Sequence, residues 1–468
     1  MSGIGQTNAN DTTVVQGRLE KIGLPSATIL VVANMVGTGI FTTSGFIIKD
    51  LQNPWAMLSC WVLGGLFALA GALCYGELGS RYPRAGGEYV FLRESFGELA
   101  GFLSGWISLL VGFSAPIAAA SMAFAAYFLA GLNGGPTSEY IWTIRGIKVL
   151  TFSPLTLIAS AVILAFTLIH RHSLSLGSRV QNVLTLFKIS LIFGFVILGL
   201  FWGRGSLEHF GQPPDVRIFF SGEFAISLIF ISFAYSGWNA AAYIGGEISR
   251  PAHNIPRALI IGTLLVAILY FFLNVTFLYG LPPHEMSGVL EVGEKAALAL
   301  FGHRVSQIFS AAIALSLLSL ISAMMLTGPR VYLAMAQDGL FFPSIGRLGT
   351  RRQTPGNAIA LQATLAIILV LTASFEHLLL FIGFTLSVFA MLTVGGLMVL
   401  RHRQPRKDLP YQTLGYPLTA VVFILGNIWI ILFTIFSRPM AALTGLGAVL
   451  AGLAVYAFFK WRRSLVTV

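Results

Sequence analysis

Long apolar runs alternate with short polar connections along almost the whole chain. Twelve of them match the about 20 residues that a helix needs to cross a hydrocarbon core. They lie at roughly 25–48, 54–79, 97–131, 150–169, 176–202, 221–246, 257–282, 303–335, 357–374, 377–400, 416–437 and 441–461. The ninth and tenth are divided only by Ser374, Phe375 and Glu376. The pattern predicts an all-α polytopic membrane protein with twelve transmembrane helices. The longest connections, near 203–220 and 283–302, are about 20 residues, too short to fold alone. The second carries Glu291, Glu294 and Lys295 beside an Ala/Leu run, which predicts a short surface helix.

Two runs are interrupted in mid-membrane. The first reads Ala33-Asn34-Met35-Val36-Gly37-Thr38-Gly39-Ile40-Phe41, and the sixth reads Phe233-Ala234-Tyr235-Ser236-Gly237-Trp238-Asn239. Each Gly weakens a helix by about 1 kcal/mol relative to Ala. Backbone freed by a break cannot face lipid, so it must line a cavity or bind something. A lone Gly-x-Gly is equally well a site of close helix packing. Breaks in the first helix of each of two five-helix halves point instead to an inverted-repeat transporter with its site at the breaks. The symmetry rests on span position, since no residue-level repeat joins the halves. A half-helix that starts at a break offers free N–H groups and suits a carboxylate; one that ends there offers carbonyls and suits an ammonium. Two breaks together make a receptor for a zwitterion without any charged side chain.

Composition supports the membrane reading. Charged residues are 10% of the 468 and apolar residues 56%, against about 25% charged in soluble domains, which excludes an ordinary soluble enzyme. The net charge of +11 would suggest nucleic acid in a soluble protein. Here it follows topology: of the 29 Lys and Arg, 20 fall on the side of the N-terminus, 8 on the other, and Lys188 lies inside a span. That bias places both termini in the cytoplasm. The first 21 residues form a polar cytosolic tail. Cys60 and Cys74 share one apolar run with no His nearby, so neither a zinc site nor a disulfide framework is expected. No metal motif, phosphate loop or catalytic constellation is present, so no enzyme, cofactor or nucleic-acid partner is expected.

Several short motifs recur in a fixed order: Gly-Thr-Gly-Ile-Phe (37–41), Gly-Glu-Leu (76–78), Tyr-Pro-Arg-Ala-Gly-Gly-Glu-Tyr (82–89), Phe-Ala-Tyr-Ser-Gly-Trp-Asn (233–239), Glu-Ile-Ser-Arg-Pro (247–251), Ile-Pro-Arg-Ala (255–258) and Gly-Pro-Arg-Val-Tyr (328–332). In this order the chain resembles the amino acid–polyamine–organocation transporters, from about Gly23 to Arg403. The span-six string is most similar to the L-type amino acid transporter and bacterial permease branch, which usually has Gly where this chain has Ser236. The resemblance implies a leucine-transporter-type fold, a 5+5 inverted repeat with helices 1 and 6 unwound, plus two further helices. The chain then divides into a tail (1–22), two five-helix repeats (23–202 and 203–403) and helices 11 and 12 with the C-terminus (404–468).

The same resemblance implies residue roles. Amides near Gly37, Thr38 and Gly39 would hold the substrate carboxylate. Carbonyls near Met35, Val36, Phe233 and Ala234 would hold the α-amine. Phe233 would close over the substrate from outside, and Ser236, Asn239 and, more loosely, Phe384 would border the pocket. The extra atoms of Ser236 would narrow it toward smaller side chains. Trp238 is read as wall of the site, whereas Trp55 and Trp461 suit belt anchoring.

Lys188 sits about a third of the way into the fifth span. A charge there costs at least about 2.5 kcal/mol and needs partners. By resemblance it replaces a bound sodium and would bridge the first span, near Gly37 and Ile40, to Ser316 and Ser319 of the eighth. Snorkelling to the interface is the alternative. Glu77 and Arg81, four apart at the end of the second span, suit a helical pair. With Glu247 and Arg330 they are candidates for a cytoplasmic gate, interfacial charge being the bland reading. Arg401 to Lys407 reads as a positive-inside anchor, and His170 and His172 as interfacial.

The function expected is sodium-independent transport of an L-amino acid across the plasma membrane by alternating access, as proton symporter or amino acid exchanger. The partners expected are the amino acid, the bilayer and protons, with no obligatory partner subunit. A polyamine or cationic amino acid transporter of the same fold, and a major-facilitator-type transporter, are the alternatives.

Overall fold

The computed structural model describes residues 22–131, 140–144, 147–172, 174–211, 213–348, 354–405 and 408–466. The cytosolic tail expected at the N-terminus lies outside the described residues, apart from Ile22 itself. In chain order the helices are α1 (Leu24–Met35), α2 (Thr38–Leu51), α3 (Pro54–Arg81), α4 (Glu88–Phe96), α5 (Glu98–Ile107), α6 (Ala115–Gly131), α7 (Pro154–His172), α8 (Leu174–Trp202) and α9 (Gly222–Ala234). They continue as α10 (Ala240–Tyr243), α11 (Pro251–Gly280), α12 (Pro283–Met286), α13 (Val292–Phe301), α14 (His303–Gln337), α15 (Gly356–Thr372), α16 (Phe375–Arg403), α17 (Leu418–Ser437) and α18 (Pro439–Val466). Among the described residues, 10 helices are long and apolar enough to cross a membrane, with α1 and α2 taken as one. Two shorter apolar helices, α9 and α15, occupy the sixth and ninth runs.

Local signals explain the boundaries. The thin division after α15 is real: that helix ends at Thr372, and the Ser374 side chain accepts the N–H of His377 to cap α16. The expected surface helix is α13. Asn53 caps α3 by accepting the N–H of Ala56, with Pro54 following as first helical residue. Two features were not foreseen. A π-helical stretch, Ser108–Ser114, joins α5 to α6. A hairpin of β1 (Tyr140–Ile144) and β2 (Ile147–Phe152) pairs antiparallel and takes the first residues of the expected fourth span. Its β-branched and aromatic residues are good strand formers, and apolar content alone could not separate them from a helix end.

Both predicted breaks are present. Between α1 and α2, Gly37 has extended backbone outside the helical region (φ −144, ψ −146). Between α9 and α10, Gly237 has φ +94. The breaks pack on each other. A Cβ on Gly237 would lie 2.6 Å from the Asn34 carbonyl oxygen, and one on Gly39 only 2.4 Å from the Ala234 Cα. So the packing role of these glycines and the helix-breaking role hold together. Around the breaks, α11 lies along α3 and α1, while α14 lies along α6 and α8.

Candidate functional site

The carbonyls at the end of α1 are already engaged. The buried Tyr270 hydroxyl of α11 lies 2.6 Å from the Met35 oxygen and 3.2 Å from the Ala234 oxygen, so one group spans both breaks. Lys188 is fully buried, and its ammonium donates to the oxygens of Ala33 (3.0 Å) and Val36. The Phe233 oxygen accepts the Ser236 N–H at 2.9 Å. A carbonyl has two lone pairs, so each keeps capacity for another donor. At the start of α2, the Thr38 side-chain oxygen is buried with no hydrogen-bond partner among the described residues.

A cavity of about 80 Å³ adjoins the second break, room for several waters. Its wall includes Asn34 of α1, Phe67 of α3, Phe113 of the π-helical stretch, the run from Tyr235 to Ala240, Ser387 of α16 and Asn427 of α17. Of the expected site residues, Ser236 and Asn239 line it, as does Trp238. Met35, Val36, Gly37, Thr38, Gly39, Phe233 and Ala234 are buried around the breaks and form no part of its wall. Phe384 is not on the wall either. Its ring lies against Gly445 of α18, and the neighbouring Gly383 and Leu386 face the cavity. A helix turns about 100° per residue, which places adjacent residues on different faces.

One wall residue was missed as a site residue. Glu88 begins α4, is 5% exposed and lines the cavity. One carboxylate oxygen accepts both the Tyr75 hydroxyl (2.7 Å) and the Asn239 side-chain amide (2.8 Å), and that amide also donates to the Tyr243 hydroxyl at 3.2 Å. Gly86 and Gly87, with φ +119 and +52, make the turn that aims Glu88 inward. Burial pushes the Glu88 carboxyl up to about 7, against the downward pull of the Tyr75 and Asn239 hydrogen bonds. The Gly-Gly-Glu-Tyr motif was visible in the sequence, but the inward aim of its acid was not.

The other charged candidates fall into two kinds. Glu247 and Arg330 do pair, at 3.0 Å, and the guanidinium also donates to the Leu326 oxygen. Next to them Ile22 donates to the Glu247 oxygen (2.8 Å) and accepts the Ser249 N–H (2.9 Å), so the first described residue is tied to the same segment. Glu77 makes the expected pair with Arg81, at 3.4 Å, while the same guanidinium also donates to the carbonyl of Gln404 (2.9 Å). Arg401 adds a second, closer partner, forking onto Glu77 at 2.5 and 2.9 Å, and Thr413 adds its N–H and hydroxyl, each at 2.8 Å. The bidentate fork is the stronger of the two pairs. Glu77 therefore ties α3 to α16 and to the segment before α17, and Arg401 is an ion-pair partner and not merely a membrane anchor.

Two further corrections follow. Lys188 reaches span one at Ala33 and Val36, but the bridge to span eight is made by Thr185, whose hydroxyl lies 3.1 Å from that of Ser319. Ser316 turns to its own helix and donates to the Ile313 oxygen at 2.7 Å. His170 is buried and lies 3.0 Å from the Ser322 hydroxyl, so it packs inside the bundle and not at the interface.

A bundle of long apolar helices, with two discontinuous helices meeting beside a cavity of mixed polar and apolar wall, defines a multi-pass membrane protein of the permease class. The family model described as amino acid permease matches residues 22–459, and the chain belongs to that family. It is similar to the large neutral amino acids transporter small subunit 2 of Mus musculus, 29% identical over 454 residues, covering 93% of this chain and 80% of the relative. The serine/threonine exchanger SteT of Bacillus subtilis (strain 168) is also 29% identical over 454 residues, covering 96% and 98%. The Asc-type amino acid transporter 1 of Mus musculus is 28% identical over 448 residues, covering 93% and 80%.

Proposed function

We propose that the protein is a secondary active transporter of L-amino acids that works by alternating access. The observation that carries this reading is the contact between the two helix breaks beside a cavity with polar groups in its wall, in a chain of the amino acid permease family. The zwitterion binds at the breaks: its carboxylate to amides of Gly37, Thr38 and Gly39, its ammonium to free lone pairs of the Met35, Val36, Phe233 and Ala234 carbonyls. Its side chain projects past Ser236 and Asn239. Phe233 closes the site from outside, and the Glu247–Arg330 pair closes it from inside.

The proposed frame is twelve spans in a 5+5 inverted repeat (23–202 and 203–403) with two added helices (404–468). Helices α9 and α15 supply the crossings that fall short of full span length. Both termini face the cytoplasm, the membrane is the bacterial inner membrane, and no partner subunit is obligatory. Transport is sodium-independent, supported by the Lys188 ammonium against the Ala33 and Val36 carbonyls. The coupled species is a proton or a second amino acid, in line with the name of the serine/threonine exchanger that the chain matches over most of both lengths.

The test is uptake of labelled amino acids by liposomes holding the purified chain alone. Three conditions are compared: a pH gradient, a sodium gradient, and internal unlabelled amino acid. Uptake driven by the first or third supports the proposal. Uptake that demands sodium refutes the coupling, and none in any condition refutes transport by this chain alone.

A further inference from the structure

The buried acid at the cavity wall has no place in the reading above. From α3 it is faced by Tyr75, from the span-six break by Asn239 and from α10 by Tyr243. Behind these stand Tyr332 of α14 next to Tyr243, and Thr393 of α16 next to Tyr75. Arg403 of α16 reaches the far end of α4, at the Ser95 oxygen, and not Glu88. Arg93 and Tyr89, on α4 itself, turn to Asp338. Among the described residues no Lys, Arg or His pairs with Glu88.

A buried carboxylate without a cation is costly, and its choices are hydrogen bonds or a proton. Here both donors converge on one oxygen. Hydrogen bonds to an ionised acceptor are roughly twice as strong as those to a neutral one. Adding a proton to Glu88 would therefore weaken its grip on Tyr75 and Asn239 together. Those two come from α3 and from the span-six break, so the one carboxylate ties both elements to the start of α4 beside the cavity. Asn239 lies at the inner edge of the span-six break, and Tyr75 packs edge-on against Trp238 at 4.6 Å.

We propose that Glu88 is a proton-operated latch: as a carboxylate it holds α3 and the inner side of the span-six break to α4, and on taking a proton from water it releases them. The proton stays on the freed carboxyl until the latch re-forms and returns it to water. This rests on the transport reading, and makes the cavity wall, separately from Lys188, a point where pH acts on the cycle.

The test uses the full chain in liposomes with equal pH on both sides, from about 5.5 to about 8.5, exchanging a labelled mixture of the common L-amino acids. The wild-type exchange rate is expected to change by at least about five-fold with a midpoint in the neutral range, and Glu88→Gln to change less than about two-fold over the same range. Tyr75→Phe removes a donor to the carboxylate and is expected to shift the wild-type midpoint upward by about half a unit or more. In parallel, the pH titration of Trp238 emission, taken as the difference from Trp238→Phe, reads the latch without any transport. A wild-type protein without pH dependence in exchange, or a Glu88→Gln protein with the wild-type profile, overturns the proposal. If Glu88→Gln does not fold, an unshifted midpoint in Tyr75→Phe overturns it. Absence of all uptake counts against the transport reading, and the emission titration then decides the latch alone: a Trp238 transition kept in Glu88→Gln sinks it.

Discussion

The two helix breaks both centre on glycine and sit in different surroundings. At the first, Met35, Val36 and Ala33 give their carbonyls to Tyr270 and Lys188, and only Asn34 reaches the cavity. At the second, Ser236, Gly237, Trp238 and Asn239 all face the cavity. The first break is tied by side chains from α8 and α11; the second shares the Tyr270 tie at Ala234 and is held to α4 through Asn239, but it faces the cavity. The difference shows how an unwound membrane helix is kept in place. Its freed backbone needs partners, and where the protein supplies them permanently the segment becomes a fixed support. Where the segment also faces a cavity, part of it stays accessible.

If that contrast is right, damage to the first break should be felt hardest. Lys188→Ala strips a donor from two buried carbonyls, at about 1–3 kcal/mol for each group left unsatisfied. Uptake in liposomes is expected to fall below about a tenth of wild type. Near-normal uptake without sodium would remove the lysine from the mechanism.

Gly237→Ala should come next. It combines a positive φ with a Cβ driven onto the Asn34 oxygen, and a loss of about 1–3 kcal/mol is expected. The readout is a lowered unfolding temperature of the detergent-solubilised protein. An unchanged temperature would mean that the breaks do not need their close contact.

Tyr270→Phe keeps the ring packed between Trp61 and Tyr235 and removes only the hydroxyl that spans the two breaks. Loss of one hydrogen bond of about 1 kcal/mol predicts uptake lower by about five-fold with normal protein yield. The mildest change is Ser236→Gly on the open break. Total uptake should stay close to wild type, while competition by Leu and Phe relative to Ala and Ser improves by about ten-fold or less. A wild-type protein that already prefers Phe would contradict the narrowing assigned to Ser236.

Much of this architecture was legible in the chain. Apolar run length located the helical segments, because lipid demands a fixed length of apolar helix. The Gly-x-Gly and Ser-Gly strings located the breaks, because helix propensity is a local property. The hairpin at Tyr140–Phe152 was not legible, since short apolar runs carry no clear period. Nor was Phe384 correctly placed: its neighbour Gly383 faces the cavity and it does not, a distinction of one helical step.

The sequence by itself determined a multi-pass protein, its two discontinuous helices and the presence of one lysine deep in a span. These are properties of residue type and spacing along one segment. Only the tertiary structure decided which group meets which. It brought Arg401 to Glu77 beside Arg81, gave Lys188 to the Ala33 and Val36 carbonyls, set Tyr270 across both breaks and turned Glu88 onto Tyr75 and Asn239. A buried polar group must find a partner, but the partner lies where the folded backbone puts it, and for Glu88 and Asn239 that is 151 residues along the chain.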